Sequence, residues 1–137
     1  MTSKEYLMQY RQIEKEINRL LDERARWTAL AEKMTPSLSG MPAGAGGGDR
    51  LGETVAKIVD LEREIGAKVD ELVEHYRKIG EVVSQIPDAK EREVLLRRYM
   101  QGQSWEEIGE KMEITIRRVY QLHKTALFSL DFIVFHY

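Results

Sequence analysis

Hydrophobic residues at alternating intervals of three and four constrain the fold of this chain more than any other feature of its sequence. This spacing keeps one seam on one side of an α-helix and is typical of helices that pack along their whole length. One seam occupies the N-terminal segment, and a second follows a glycine-rich stretch. The first consists of Tyr6, Tyr10, Ile13, Ile17, Leu20, Arg24, Trp27, Ala31 and Met34, and the second of Val55, Ile58, Glu62, Ile65, Val69, Leu72, Tyr76, Ile79, Val83 and Ile86.

The stretch TPSLSGMPAGAGGGD between the two seams indicates a flexible, glycine-rich loop at residues 35–50. We expect the first helix to stop at Thr35-Pro36, because the residue before a proline is pushed out of the α region and proline donates no backbone hydrogen bond. Two helices of roughly 30 residues joined by such a loop predict an antiparallel helical hairpin at residues 1–87. Arg24 and Glu62 interrupt the seams, which favours hairpin or bundle packing over a two-stranded zipper.

After Pro87 the pattern changes to three shorter helices, which predicts a second module at residues 88–137. Asp88 and Glu91 form a capping box for the helix AKEREVLLRRYMQ, and Gly102 is placed to end it. Ser104 begins a second capping box, for WEEIGEKM. The sequence contains no convincing strand. The predicted fold class is therefore all-α, with a long antiparallel, coiled-coil-like hairpin followed by a helix-turn-helix module.

The segment WEEIGEKMEITIRRVYQL has the internal spacing of a helix-turn-helix. The glycine in its first helix is small where the second helix crosses closely, and the second helix begins near Thr115. Glu113 occupies the turn position where glycine is usual, and a left-handed conformation there costs about 1 kcal/mol. The predicted inner residues are Ile108, Gly109, Met112, Ile114, Val119 and Leu122.

The charges are concentrated locally. The net charge of −2 does not draw the whole molecule to nucleic acid. Residues 115–127, however, carry three basic side chains and one histidine but no acidic residue. At 100° per residue, Arg117, Gln121 and Lys124 gather on the face of this helix opposite its apolar stripe. This polar face is the candidate anion-binding surface.

Residues 91–127, EREVLLRRYMQGQSWEEIGEKMEITIRRVYQLHKTAL, resemble region four of the bacterial sigma factors. The resemblance rests on the Leu-Arg-Arg-Tyr run before Gly102, the Ser-Trp-Glu-Glu-Ile stretch and the closing Ala126-Leu127. It implies a helix-turn-helix that reads promoter DNA and can contact RNA polymerase through the flap of the large subunit. The overall layout is similar to small phage-borne transcriptional regulators of Gram-positive hosts, which are related to late-gene activators of the autolysin-regulator type.

The resemblance and the polar face together select the candidate DNA-binding residues. Arginine binds guanine bidentately and glutamine binds adenine, so Arg117 and Gln121 are expected to read bases. Arg118 and Lys124 are better placed to contact phosphates. Tyr120 stands where the family often has a basic residue, which predicts a different preferred sequence. The complete set is Ile116, Arg117, Arg118, Tyr120, Gln121 and Lys124.

Other kinds of site lack support in the sequence. The chain has no cysteine, which excludes disulfides and thiolate metal sites and fits a reducing cytoplasm. GAGGGD lacks the Lys-Ser/Thr of a phosphate-binding loop. No run of about 18 apolar residues predicts a membrane span. The isolated histidines, His75, His123 and His136, favour satisfied or surface side chains over metal ligands. We therefore expect a cytoplasmic protein that is not an enzyme and needs no metal or cofactor.

Three functions remain open. The leading interpretation is a transcription regulator that binds double-stranded DNA and forms a homodimer through the N-terminal hairpin. The alternatives are a phage DNA-packaging or replication accessory protein with the same module, and a coiled-coil adaptor whose helix-turn-helix is only a packing unit. The apolar tail FSLDFIVFHY leaves a similar choice. We favour packing of Leu130, Phe132 and Ile133 against the core over a partner-binding patch.

Overall fold

The computed structural model describes residues 1–39 and 47–135, and every regular element in these two stretches is helical. The predicted all-α fold class is confirmed. The two long helices come first and the shorter ones follow Pro87. In chain order the elements are α1 (Ser3–Ser39), α2 (Gly47–Val83), α3 (Ala89–Leu95), a π-helical turn (Leu96–Met100), α4 (Trp105–Met112) and α5 (Ile116–Phe135).

The predicted end of the first helix at Thr35-Pro36 is wrong, because α1 continues to Ser39. Proline removes one backbone hydrogen bond, and the carbonyl that loses its partner belongs to Glu32, which is exposed to water. The Thr35 hydroxyl donates to the carbonyl of Ala31 over 2.9 Å just before the proline. Because α2 begins at Gly47, both ends of the predicted loop are helical, and its centre, residues 40–46, lies outside the described residues.

The seam of α2 is partly different from the predicted one. Every second residue of the predicted seam is buried or half-buried, as expected, namely Ile58, Ile65, Leu72, Ile79 and Ile86. At the positions between them, Val55, Glu62, Val69 and Tyr76 are exposed, and the residue before each one is buried or half-buried instead. The observed seam consists of Thr54, Ile58, Leu61, Ile65, Lys68, Leu72, His75, Ile79, Val83 and Ile86, with Val82 half-buried beside it, so the prediction of Val83 as a seam residue is confirmed.

One compact unit combines Met1–Glu14 with the chain from Leu72 onward. The last turns of α2 and the first turns of α1 share a core with α3, the π-helical turn and α5. This core therefore contains residues from both sides of the predicted boundary between residues 87 and 88. That the two segments differ in function remains a prediction. Its buried members are Leu7, Tyr10, Ile79, Val83, Ile86, Leu95, Tyr99, Ala126 and Leu130.

The other compact unit, Lys15–Glu71, consists of segments of the two long helices. Leu20, Leu61 and Ile65 form its buried centre. The Lys68 ammonium lies 2.9 Å from the carboxylate of Glu16 near one end. At the other end the Thr54 hydroxyl lies 3.7 Å from the sulfur of Met34. Because low residue numbers of α1 meet high numbers of α2, this unit is an antiparallel helical hairpin.

The apolar tail packs as expected at Leu130, which is fully buried, and at Ile133, which packs against the same core. Phe132 departs from the prediction, because it is 66% exposed. The backbone amide of Ser3 donates to the Asp131 carboxylate over 3.2 Å, and the Ser3 hydroxyl bonds to the same oxygen. No helix in the described stretches is long and apolar enough to cross a membrane.

Candidate nucleic-acid interface

Helices α4 and α5 form the predicted helix-turn-helix, and a side-chain cap starts each of them. The Ser104 hydroxyl accepts the backbone amide of Glu107 over 3.1 Å at the start of α4. The Thr115 hydroxyl accepts the amide of Arg118 over 3.1 Å at the start of α5. These caps satisfy amides that a helix leaves unpaired at its N-terminus. Both predicted starts are confirmed, as is the cap of α3 by Asp88, whose carboxylate accepts two amides.

The turn between the two helices is tight. Glu113 has φ 58° and ψ 44°, which is the left-handed conformation that glycine usually adopts at this position. The amide of Ile114 donates to the carbonyl of Gly109 over 2.9 Å and closes the turn. A Cβ atom on Gly109 would lie 3.0 Å from the carbonyl oxygen of Ile114 and 3.6 Å from Cγ2 of Val119. Gly109 therefore allows the close crossing that the sequence predicted.

Replacing Glu113 with glycine should raise the free energy of unfolding by about 1 kcal/mol, because glycine adopts the left-handed conformation without a Cβ clash. Urea denaturation followed by circular dichroism measures the change. Glu113→Ala is the matched control, since it removes the charge but keeps the strained backbone. If alanine stabilised the protein as much as glycine, repulsion from neighbouring carboxylates rather than backbone strain would explain the gain.

The inner side of the helix-turn-helix is apolar and closed. Ile108, Val119 and Leu122 are buried together with Val94 of α3. Three partly buried side chains cover this cluster, namely Trp105, Met112 and Ile114. The predicted inner stripes of both helices are therefore confirmed. This packing fixes the rotation of α5 about its own axis, and so fixes which of its side chains face water.

All six candidate DNA-binding residues lie on the solvent-exposed surface of α5. Among the described residues, no ion pair engages the basic members Arg117, Arg118 and Lys124. Ile116 and Tyr120 are 41% and 49% exposed, so apolar surface lies beside the basic side chains. The surface therefore presents unpaired cations beside uncovered apolar groups.

A groove beside the start of α5 has the opposite charge. Glu106 and Glu110 of α4 line it together with Glu113 of the turn, and its floor includes Gly109 and Ile114. These carboxylates give this side of the surface a negative charge, which repels anions. An acidic groove at this place was not predicted from the sequence. The spacing of the acidic residues on α4 was a usable signal, since Glu106 and Glu110 are four residues apart.

An aromatic cluster joins the π-helical turn to α4 and α5. The Arg98 guanidinium lies 4.2 Å from the ring centre of Trp105 and donates to the carbonyl of Gln103 over 3.1 Å. The Trp105 ring lies 5.2 Å from Tyr120 and 4.7 Å from His123. Tyr120 is therefore held by a neighbour while part of its ring stays in water. The sequence did not reveal Arg98 and Trp105 as residues that support the candidate DNA-binding surface.

His123 is a satisfied histidine, as the sequence predicted. Its Nε2 lies 2.7 Å from the hydroxyl oxygen of Tyr99, and the two rings stack at 5.7 Å. Burial, together with the smaller effect of the positive charges of Lys4 and Arg98, lowers the pKa of His123 from 6.5 to about 4. At neutral pH His123 thus adds no charge to α5. The Nδ1 of His75 is buried without a hydrogen-bond partner, and His136 lies outside the described residues.

Acidification should destabilise the protein through His123. The unfolded chain binds a proton at this residue below about pH 6.5, whereas the folded chain does so only near pH 4. The contribution of neutral His123 to the free energy of unfolding is therefore fully present above pH 6.5 and is lost as the pH drops toward 4. We expect a loss of about 1 to 2 kcal/mol, discounted because solvent reaches part of the ring. Urea denaturation at several pH values should show a shallower pH dependence for His123→Gln, and equal slopes would contradict this role.

Comparisons with known proteins agree with this geometry for one part of the chain. Residues 88–130 match the family model of sigma-70 region 4. The match includes α3, the π-helical turn, α4 and most of α5, and covers less than a third of the chain. Neither the curated proteins nor the solved structures with which the chain was compared gave a match. The match supports a sigma-region-four-like, DNA-binding helix-turn-helix in this part of the chain.

Proposed function

We propose that this protein is a transcription regulator that reads promoter DNA by placing α5 in the major groove. One observation carries the proposal. In a module that matches sigma-70 region 4, the basic and amide side chains of α5 face water, while the apolar side of the same helix is fully buried. A helix held in this way matches the width of the major groove and presents its polar face to the base edges.

The exposed residues divide into two roles. Arg117 and Gln121 lie at the centre of the face opposite the buried stripe, and we assign them to base reading. Arg118 and Lys124 flank this centre and are assigned to phosphates. Ile116 and Tyr120 supply apolar contacts to the groove, such as contacts with thymine methyl groups. The acidic groove beside the start of α5 then limits non-specific binding on that side.

The proposal extends to the setting in which the module acts. We assign it to the cytoplasm, to a homodimer formed through the N-terminal hairpin, and to contact with RNA polymerase through the flap of the large subunit. The likeness of the layout to phage-borne late-gene activators of the autolysin-regulator type favours a phage or prophage origin. Neither the DNA-reading role nor the experiment below depends on any of these extensions.

The experiment is a selection of DNA sequences from a random duplex library with the full-length protein, followed by a gel shift with the selected site. We expect enrichment of a short motif and tighter binding to that motif than to a scrambled duplex of the same length. A variant with Arg117→Ala and Gln121→Ala should lose this preference. Arg26→Ala with Lys33→Ala, at exposed positions of the hairpin, is the matched control and should keep it.

Three outcomes separate the alternatives. No binding to any duplex would leave the helix-turn-helix as a packing unit of a coiled-coil adaptor. Binding without sequence preference would contradict promoter reading and favour a packaging or replication role. Specific binding that does not change transcription of a linked reporter would likewise favour an accessory role. Only specific binding with a change in reporter output agrees with the proposal.

A further inference from the structure

A second stripe runs along α2 beside its buried seam and faces water. Every large apolar side chain of α2 that is strongly exposed lies on it: Val55, Val59, Val69, Val73 and Tyr76. Consecutive members are three, four or ten residues apart, and Glu62 and Gly66 occupy the two heptad positions inside the ten-residue gap, so the positions follow a heptad pattern. The pattern is displaced by about 100° around the helix from the buried seam. α2 therefore has two heptad faces, of which residues 1–39 and 47–135 cover one.

Three glycines complete this exposed stripe. Gly52, Gly66 and Gly80 are exposed, occupy the same heptad position and are spaced by 14 residues, which is two heptads. A Cβ atom at any of them would meet nothing within 4 Å, so the fold does not need a glycine there. Glycine inside a helix destabilises it relative to alanine. Glycines repeated on an apolar face instead allow another helix to approach closely.

We propose that this Val-Gly stripe of α2 is the surface through which two copies of the chain associate, with their α2 helices antiparallel. The proposal gives the homodimer of the proposed function its contact surface, and it requires no DNA. We place the two-fold axis at the level of the helix midway between residues 67 and 68. Antiparallel pairing about this axis places Gly66 opposite Val69 of the second copy. The same register places Val55 opposite Gly80 of the second copy, so Gly66 and Gly80 each receive a larger side chain.

Charge favours this register over the alternatives. In the antiparallel arrangement the exposed Arg63 comes beside Asp70 of the second copy, and the two-fold axis repeats the pair. A parallel arrangement would place the two Glu62 carboxylates opposite each other within the apolar stripe, which is repulsive. It would also place glycine opposite glycine and leave gaps. The second copy therefore matches this surface in both size and charge only when it is antiparallel.

Sedimentation equilibrium of the full-length protein tests the surface. The wild type should dimerise at tens of micromolar, and Val69→Glu should weaken the dimer at least about tenfold, because it buries a charge in the contact. Glu62→Leu should tighten the dimer several-fold, a gain that misfolding cannot produce. Ala67→Glu, exposed and off the stripe, is the matched control and should have no effect. A monomeric wild type, an unchanged Val69→Glu dimer, a Glu62→Leu dimer no tighter than the wild type or an equal effect of Ala67→Glu would overturn the proposal.

Cross-linking tests the orientation of the two α2 helices. Because the chain has no native cysteine, only the introduced cysteine can react. With a short bismaleimide, Val69→Cys should give covalent dimers because residue 69 lies close to the proposed axis. Val55→Cys should give none, since its two copies are about 37 Å apart along the axis at 1.5 Å per residue. Cross-linking at residue 55, or its absence at residue 69, would overturn the antiparallel arrangement. Neither experiment contains DNA, so failure here is distinguishable from failure of the DNA-reading role.

Discussion

Replacing Ile108 with alanine is expected to lower the free energy of unfolding by about 2 to 4 kcal/mol, because the substitution leaves a cavity in a closed core. Ile108 is fully buried and packs with Val119 and Leu122 where α4 meets α5. Loss of the Ile108 side chain removes contacts that fix the orientation of α5 about its own axis. Urea denaturation followed by circular dichroism measures the loss, and DNA binding should weaken with it at temperatures where the module is partly unfolded.

Ile116→Ala is the matched control for this prediction. The residue type is the same, but Ile116 lies on the exposed surface of α5. Its substitution should change the free energy of unfolding by no more than about 0.5 kcal/mol while weakening DNA binding. Equal destabilisation by the two substitutions would mean that the buried and exposed faces of the helix-turn-helix are not those described above.

The second large effect concerns DNA binding. Arg117→Ala should relax the preference for one base pair, since a bidentate contact to guanine contributes about 1 to 3 kcal/mol of discrimination. Lys124→Ala should weaken binding to all sequences alike and reduce the slope of log affinity against log salt concentration by about one unit. Titrations of a specific and a scrambled duplex at several salt concentrations separate these effects. If both variants bound both duplexes like the wild type at moderate salt, α5 would not be the reading helix.

Sequence reasoning worked well where local chemistry determines structure. The caps at Asp88, Ser104 and Thr115 each need only a short polar side chain and a nearby amide, and the structure shows all three. The spacing of the two helices also marked Glu113 as the turn residue, and the structure shows that it adopts the left-handed conformation. The inner residues of α4 and α5 could be assigned because a short amphipathic helix has only one apolar side.

The seam of α2 shows where this reasoning fails. α2 has two apolar faces, and hydrophobicity alone favours Val69 and Tyr76 over Lys68 and His75 as inner residues. Lys68 can lie at the seam because the Glu16 carboxylate accepts its hydrogen bond and raises the pKa of the lysine. A partner on another helix is a tertiary contact, which periodicity within one helix does not reveal.

The residues that support the candidate DNA-binding surface could not be predicted from the sequence either. The π-helical turn at Leu96–Met100 widens the helix by one residue per turn, and this segment carries Arg98 and Tyr99 toward Trp105 and His123. A π-helical turn has no strong sequence signature. The shared core of α2, α3 and α5 was also not foreseen, because the break at Pro87 indicated a boundary in sequence while the residues on both sides pack together.

The measurement that tests the central claim most directly is a double-mutant cycle between Arg117 and individual guanines of the selected DNA site. Replacing a guanine with 7-deazaguanine removes its N7 acceptor from the major groove without changing base pairing. If Arg117 reads that guanine, the modified duplex should weaken binding of the wild type by about 1 to 3 kcal/mol and leave binding of Arg117→Ala unchanged. If every guanine in the site gave the same loss for both proteins, or no loss for either, Arg117 would not read guanine in the major groove.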